Sequence, residues 1–383
     1  MRSDNRNSPF ADLAADLERL SKIGRRRTLQ SFGGLDFTSN DYLGLAHSDE
    51  LRAAASAALA RGVPVGSGGS RLLRGNHPEH EALEQAAAKF FGVASALYFS
   101  SGYAANQTLL ATAPQRGDLV IHDEYIHASA RDGVRQGRAE HVSARHNDTQ
   151  SIDDAIRHWR QGEGTGRVWI VVESLYSMDG DGPDLAELEA LAIDRGAVLV
   201  IDEAHATGVL GPQGRGRAAF LEGRDNVVTI HTCGKALGTA GAFVCAPQVL
   251  TDFLVNRGRP FIFATAPSPL IAAVTQAAIS LCQHSDGRRK RLNGLVELAA
   301  RELHHHCGLT ASGSQILPII IGHDQTAADL ASRLRVLGFD VRAIRPPTVP
   351  AGTARLRISL TLNVDEAAIG LLFQSLAREM VLP

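Results

Sequence analysis

From about residue 80 onward, short apolar runs alternate with helix-patterned segments, and this alternation restricts the fold more than any other feature of the chain. ASALYF, DLVIHD, RVWIVVES, AVLVIDEAH and NVVTIHT are brief and rich in Val and Ile. They lack the polar alternation of a half-exposed strand, so they read as strands buried on both faces. Between them, EHEALEQAAAKFF, SGYAANQTLLATA and DLAELEALAIDRG read as helices, the last with Gly196 as its C-cap. Strands alternating with helices require βαβ crossovers, hence an α/β class with a mostly parallel sheet. Such sheets take ligands at the carboxyl ends of their strands. Near Asp286 to Arg291 the composition turns basic and a long helix opens. QILPIII, QTAADLASRLRVLG, DVRAI, ARLRISL and DEAAIGLLFQSLAREM then read as a small α+β unit. The expected division is an N-terminal helix and arm over 1–45, a large α/β domain over 46–285 and a small α+β domain over 286–383.

Charge excludes one broad class. Lys plus Arg is 39 and Asp plus Glu is 41 among 383 residues. A general nucleic-acid binder would show a basic excess instead. The cysteines Cys233, Cys245, Cys282 and Cys307 form no CxxC pair, which suits a reducing, cytoplasmic setting. MRSDNRNSPF has no apolar h-region, so no signal peptide is read. Phe261 to Ser285 carries no formal charge, but it contains Pro267, Pro269 and several hydroxyl and amide side chains. It reads as a loop and a helix from about Ser268 to Leu281, not as a membrane span. The first 30 residues read as an amphipathic helix through Leu13, Leu17 and Leu20, ending in Arg25, Arg26 and Arg27.

Three polar clusters end three of the expected strands: His122 and His127, Asp202 and His205, Thr232 and Lys235. In a parallel sheet these ends converge on one crevice. Lys235 lies in HTCGKALG, among small residues that leave room for a bulky group against its amine. A partly desolvated lysine has a lowered pKa and can form a Schiff base with a carbonyl; the bland alternative is a surface lysine. Asp202, directly after an apolar run, needs a cationic partner or several donors when buried, unless it only caps the strand end. A protonated pyridine nitrogen would serve as that partner. Ser101 and Gly102 precede a helix whose N–H groups could reach a phosphate. The loop GSGGSRLLRGNH is a ligand-approach loop or a connector.

Rival motifs fare worse. Asp202 to His205 spells DEAH, but no GxxxxGK[ST] loop accompanies it. Gly214, Gly216 and Ala219 fit a relaxed GxGxxA without a clear preceding strand. His304, His305, His306 and Cys307 read as a helix end rather than a metal site.

SNDYLGL (Ser39 to Leu45), GSGGSRLLRGNH, SSGYAAN, SMDGDGPDL (Ser177 to Leu185), DEAHATGVLGPQGRG and the Gly234-Lys235 pair occur in this order. From about residue 25 to the C-terminus the chain resembles the α-oxoamine synthases, pyridoxal 5'-phosphate enzymes of the aspartate-aminotransferase fold (fold type I). The resemblance implies a cofactor bound as a Schiff base on Lys235, stacked by His127, paired at its ring nitrogen with Asp202 and hydrogen-bonded at its ring oxygen by His205. It implies that Gly102 and Tyr103 offer backbone to the phosphate and that Ser177 and Thr232 complete the shell. Arg357 would anchor the amino-acid carboxylate, with Asn40 nearby. Thr348 and Arg25, or in its place Arg26 or Arg27, would touch the acyl substrate. Cys233 stands where the family often has an aromatic residue. AIRPPTVPAGTARLRISL (Ala343 to Leu360) is most similar to members that condense L-alanine with a pimeloyl thioester. Glycine C-acetyltransferase and 5-aminolevulinate synthase types, which use glycine, are the rival reading. A homodimer is implied, with no nucleic-acid or membrane partner.

Overall fold

The computed structural model describes residues 8–29 and 33–381. Among the described residues, twelve strands appear in chain order: β1 Leu35–Asp36, β2 Ser95–Phe99, β3 Leu119–Asp123, β4 Glu140–Ala144, β5 Val168–Glu173, β6 Val198–Asp202, β7 Val227–Thr232, β8 Ala242–Ala246, β9 Ile316–Gly322, β10 Phe339–Asp340, β11 Arg342–Ile344 and β12 Ala354–Ser359. The large sheet has the order β2-β8-β7-β6-β5-β3-β4. Only β8 runs against its neighbours; the pairs from β7 to β4 are parallel. The expected mostly parallel sheet is therefore present, and β3, β5 and β7 are buried at every position, as their unbroken apolar runs require.

Two strands of this sheet escape the apolar-run criterion. β4 is an edge strand whose first four residues are exposed, so EHVSA carries no buried signature. β8 (AFVCA) is buried throughout but follows the Lys235 turn so closely that it merges with it in the sequence. The helices carry ordinary caps. Asp184 accepts from the N–H groups of Ala186 and Glu187 at 2.9 and 3.1 Å, and Gly196, in the left-handed region at φ 59°, ends the same helix as expected.

After the uncharged stretch, the helix spans Pro269–Gln283, and the basic stretch opens the 22-residue helix Asp286–Cys307. No described helix is long and apolar enough to cross a membrane. β11, β12 and β9 form a separate antiparallel sheet. The arm reaches this region: β1 pairs with β10, and the Ser359 N–H donates to the Phe37 carbonyl at 2.8 Å. One apolar cluster includes Phe37, Tyr42, Leu237, Leu292, Leu356 and Leu376, so arm, large sheet and C-terminal sheet share a core.

The loop after β5 crosses the carboxyl edge of the large sheet and is pinned from one side by His146. Its Nδ1 lies 2.9 Å from Asp123 Oδ1 and its Nε2 lies 3.1 Å from Asp181 Oδ2. Burial lowers the imidazole pKa, but hydrogen bonds to the two carboxylates outweigh it and raise it to about 10. A raised folded-state pKa means that this contribution is whole below an unfolded value near 6.5 and is lost as pH climbs through about 10. His146→Gln should therefore lower the urea midpoint at pH 6 and lower it progressively less toward pH 10. A pH-independent difference between the two proteins would show that His146 is not charged in the fold.

Candidate functional site

Adjacent strand ends supply the floor. β5 ends at Glu173 and β6 at Asp202, and the two are register partners, so two carboxyl groups stand side by side. β7 ends at Thr232, and the chain then turns through Cys233 and Gly234 to Lys235. Lys235 is half-buried, and its Nζ lies 3.0 Å from His205 Nε2. Burial lowers the amine pKa against the opposing pull of Asp202 and Glu173, to about 8. Three of the predicted residues thus meet, Lys235, Asp202 and His205, while Thr232 ends the strand before them and donates to the Gly241 carbonyl at 3.4 Å.

Asp202 is held by neutral donors. Asn106 Nδ2 donates to Oδ2 at 2.7 Å and the Ala204 N–H donates to Oδ1 at 2.9 Å. No cation of the described residues forms a salt bridge with it. Glu173 is fully enclosed; burial, with the Asp202 charge adding to it, raises its carboxyl to about 8, so it keeps a proton at neutral pH. His127 caps the helix Ala128–Gln136, and its Nδ1 lies 2.8 Å from Ser129 Oγ. Part of its ring faces solvent; desolvation of the rest lowers its pKa, with Asp202 opposing and Lys235 reinforcing.

Ser101 caps the helix Gly102–Thr112 through the Ala104 N–H. Gly102 faces Thr232: a Cβ at 102 would stand 3.5 Å from Thr232 Oγ1. The first-turn N–H groups of Gly102 and Tyr103 lie at a helix start, where an anion is favoured. The Tyr103 hydroxyl itself bonds to Asp132.

The C-terminal sheet covers the crevice with Arg357 of β12. Its guanidinium donates to the Ser177 carbonyl, to Ser359 Oγ at 2.6 Å and to Asn40 Oδ1 at 3.0 Å. Ser177, Asn40 and Arg357 are thereby brought together as expected. Arg25 and Thr348 are not linked to this group. Arg25 pairs with Asp324, and the Thr348 N–H donates to the Arg345 carbonyl at 3.1 Å. Arg345 in turn donates to the Gly24 carbonyl, so the two segments adjoin each other. Arg26 and Arg27 are exposed.

The rival motifs dissolve in three dimensions. Glu203 turns away from the crevice and accepts from the N–H groups of Arg217 and Ala218 at 2.9 and 2.7 Å. Gly214 and Ala219 lie in 3₁₀ turns, Pro212–Gly214 and Arg217–Phe220, with no strand leading in. His304 to His306 close a helix capped by Gly308, and no group of described residues is arranged to hold a metal.

Sequence reasoning passed over Tyr42, Asn106 and Glu173. Asn106 is a polar residue on the buried face of an Ala- and Leu-rich helix, which is a usable signal in retrospect. Asn106 Oδ1 and Glu173 Oε1 are buried without a hydrogen-bond partner in the structure. Orphaned polar atoms beside a carboxylate and a low-pKa amine, with free N–H groups at a helix start, fit a polar aromatic cofactor bearing an aldehyde, a ring nitrogen and a phosphate. Pyridoxal phosphate has that donor and acceptor set.

Residues 33–376 match the family profile described as Aminotransferase class I and II. A curated 8-amino-7-oxononanoate synthase from Geobacter sulfurreducens is 39% identical over 384 residues, covering 96% of this chain and 97% of that protein. A serine palmitoyltransferase from S. paucimobilis, solved with a bound PLP–myriocin aldimine, superimposes with a TM-score of 0.87 at 29% identity, covering 97% of this chain and 98% of that one. An 8-amino-7-oxononanoate synthase structure from Francisella tularensis gives 0.76 at 27% identity, over 91% and 98% of the two chains. The chain belongs to the aminotransferase class I and II family of pyridoxal-phosphate enzymes, within its acyltransferase branch alongside the 8-amino-7-oxononanoate synthases.

Proposed function

We propose that this enzyme condenses L-alanine with a pimeloyl thioester, carried on coenzyme A or on a carrier protein, and releases the thiol, CO2 and 8-amino-7-oxononanoate, a step of biotin synthesis. The observation that carries the reading is the Lys235 amine, held near pKa 8 beside His205 and the Asp202 carboxylate at the sheet edge. Pyridoxal phosphate supplies the electron sink for loss of the α-proton and of CO2.

The chain's own residues do the rest. Lys235 Nζ, a neutral amine in part near neutral pH and mostly so above about pH 8, removes the proton from the amino-acid α-carbon and returns one after decarboxylation. Asp202, fixed by Asn106 and the Ala204 N–H, would hold a protonated ring nitrogen; its own donors are neutral, so its charge is left for that partner. Glu173, carrying its proton, adds no second negative charge beside it. His127 would stack on the ring and His205 would donate to its oxygen. Gly102, Tyr103, Ser177 and Thr232 would hold the phosphate and the remaining ring edge. Arg357 matches the amino-acid carboxylate bidentately, with Asn40 already against its guanidinium. Arg25 and Thr348, on adjoining segments, line the acyl approach. Arg25 must exchange Asp324 for substrate to do so.

We also read the enzyme as a cytoplasmic homodimer. The segments around Ser67 and Ala266 are hydrogen-bonded together, and Val65, Leu72, Leu73 and Phe263 stand exposed around them. Exposed apolar side chains on two segments tied together in this way support an association surface. Sedimentation should return twice the 40.8 kDa chain mass; a persistent monomer would overturn the dimer.

The substrate assignment is tested by a matrix. Alanine, glycine and serine are each offered with pimeloyl-, acetyl-, succinyl- and palmitoyl-CoA. Alanine with the pimeloyl donor should dominate. The serine and palmitoyl arm is included because of the 0.87 TM-score with serine palmitoyltransferase; preference for any other pair would replace this reading. Separately, borohydride treatment of the pyridoxal-phosphate-loaded protein should leave a pyridoxyl mass on residue 235. Lys235→Ala should lose at least ~100-fold in turnover. A label on a different lysine would reject the site.

A further inference from the structure

We infer that Tyr42 is a positioning residue whose hydroxyl proton fixes His205 as the Nε2–H tautomer, so that the ring's single donor faces Lys235 Nζ. Tyr42 lies in SNDYLGL on the arm, its side chain fully buried, and none of the roles above uses it. Its hydroxyl lies 2.6 Å from His205 Nδ1, while His205 Nε2 lies 3.0 Å from Lys235 Nζ. The imidazole is therefore clamped at both nitrogens, with one ring proton to share between them when neutral. It is neutral: burial, the largest cause, holds its pKa well below the ordinary histidine range even before any neighbouring positive charge is added.

Two arrangements satisfy these contacts. In one, Tyr42 donates to Nδ1, and the ring proton sits on Nε2. In the other, Tyr42 donates to Asn40 Oδ1, and Nδ1–H donates to the phenol oxygen. Three observations select the first. The Tyr42–Asn40 separation is 3.1 Å, longer than an O–H···O bond normally runs. Asn40 Oδ1 already accepts from Arg357 at 3.0 Å, so it is not left without a donor when the phenol proton goes elsewhere. The 2.6 Å between the phenol oxygen and His205 Nδ1 suits an O–H donor and is shorter than an N–H···O bond normally runs. Burial pushes the Tyr42 phenol up to about 12, so the proton it must give is always present. Gln315 also donates to the His205 carbonyl at 2.8 Å, which fixes the backbone from which the ring hangs.

An Nε2–H donor facing an amine stabilises its neutral form. The consequence for Lys235 rests on its proposed role as base; the tautomer does not. ¹⁵N-histidine NMR of the ligand-free protein above pH 8, where Lys235 is mostly the neutral amine, with the His205 signals assigned through His205→Asn, should show Nε2 protonated and Nδ1 bare. A protonated Nδ1 in wild type overturns the inference, whether or not any variant folds. In Tyr42→Phe, which keeps the ring and removes the hydroxyl, the tautomer is released and His205 can accept from an ammonium. The pH midpoint for the rate of pyridoxal-phosphate uptake, followed by absorbance, should then rise by about one unit, the equivalent of one lost hydrogen bond. A purely structural role would lower the melting temperature and leave that midpoint in place, and such a result would also overturn the inference. Failure of borohydride to label Lys235 in wild type would instead sink the proposed function and leave the NMR result standing.

Discussion

Removing an amine from water disfavours its charged form, and this site is organised around where the fold puts that cost. Lys235 sits on a tight turn at the carboxyl edge of the sheet, where burial lowers its pKa and two neighbouring carboxyl groups limit the fall. The β5–β6 register sets Glu173 beside Asp202, and two like charges so placed are costly together. Glu173 answers by keeping its proton. The cluster therefore holds a reactive amine close to neutrality and leaves one buried carboxylate, Asp202, satisfied by neutral donors.

The groups facing that amine come from widely separated parts of the chain, and their precision depends on a shared core. Tyr42 and Asn40 belong to the arm, Arg357 to the C-terminal sheet, and His205 to the loop after β6. The Leu362 N–H donates to the Tyr42 carbonyl and the Ser359 N–H to the Phe37 carbonyl, so arm and C-terminal sheet move together. Phe37, Tyr42 and Leu356 are all fully buried in the same apolar cluster as Leu237, just past the lysine. Rotation of Arg357 or of the phenol would disrupt packing as well as hydrogen bonds. Arg355 adds a second tie across the crevice by bonding to Asp179 and the Met178 carbonyl in the loop that His146 holds from the other side.

Much of this was legible from residue patterns because the signals are local. An unbroken Val- and Ile-rich run identifies a doubly covered strand whatever its neighbours are, and β3, β5, β6 and β7 were found in that way. β4 was not, because an edge strand with exposed side chains has no apolar run to read. Lys235 and Asp202 stood out from their immediate context: small residues around one, an apolar strand before the other. Tyr42 and Glu173 did not. A tyrosine among apolar residues and an acid at the end of a strand are ordinary locally, and only partners from distant segments make them unusual.

Sequence alone determined the α/β class and the parallel sheet and singled out Lys235 as the candidate lysine, because periodicity, strand composition and motif order are properties of contiguous residues. Tertiary structure decided which groups set the charge states: the carboxyl pair across β5 and β6, the Asn106 donor to Asp202, the Tyr42–His205–Lys235 chain and the Asp324 partner that occupies Arg25. Each depends on proximity between residues far apart in the chain. Desolvation and hydrogen bonding act through space, so no local pattern could report them.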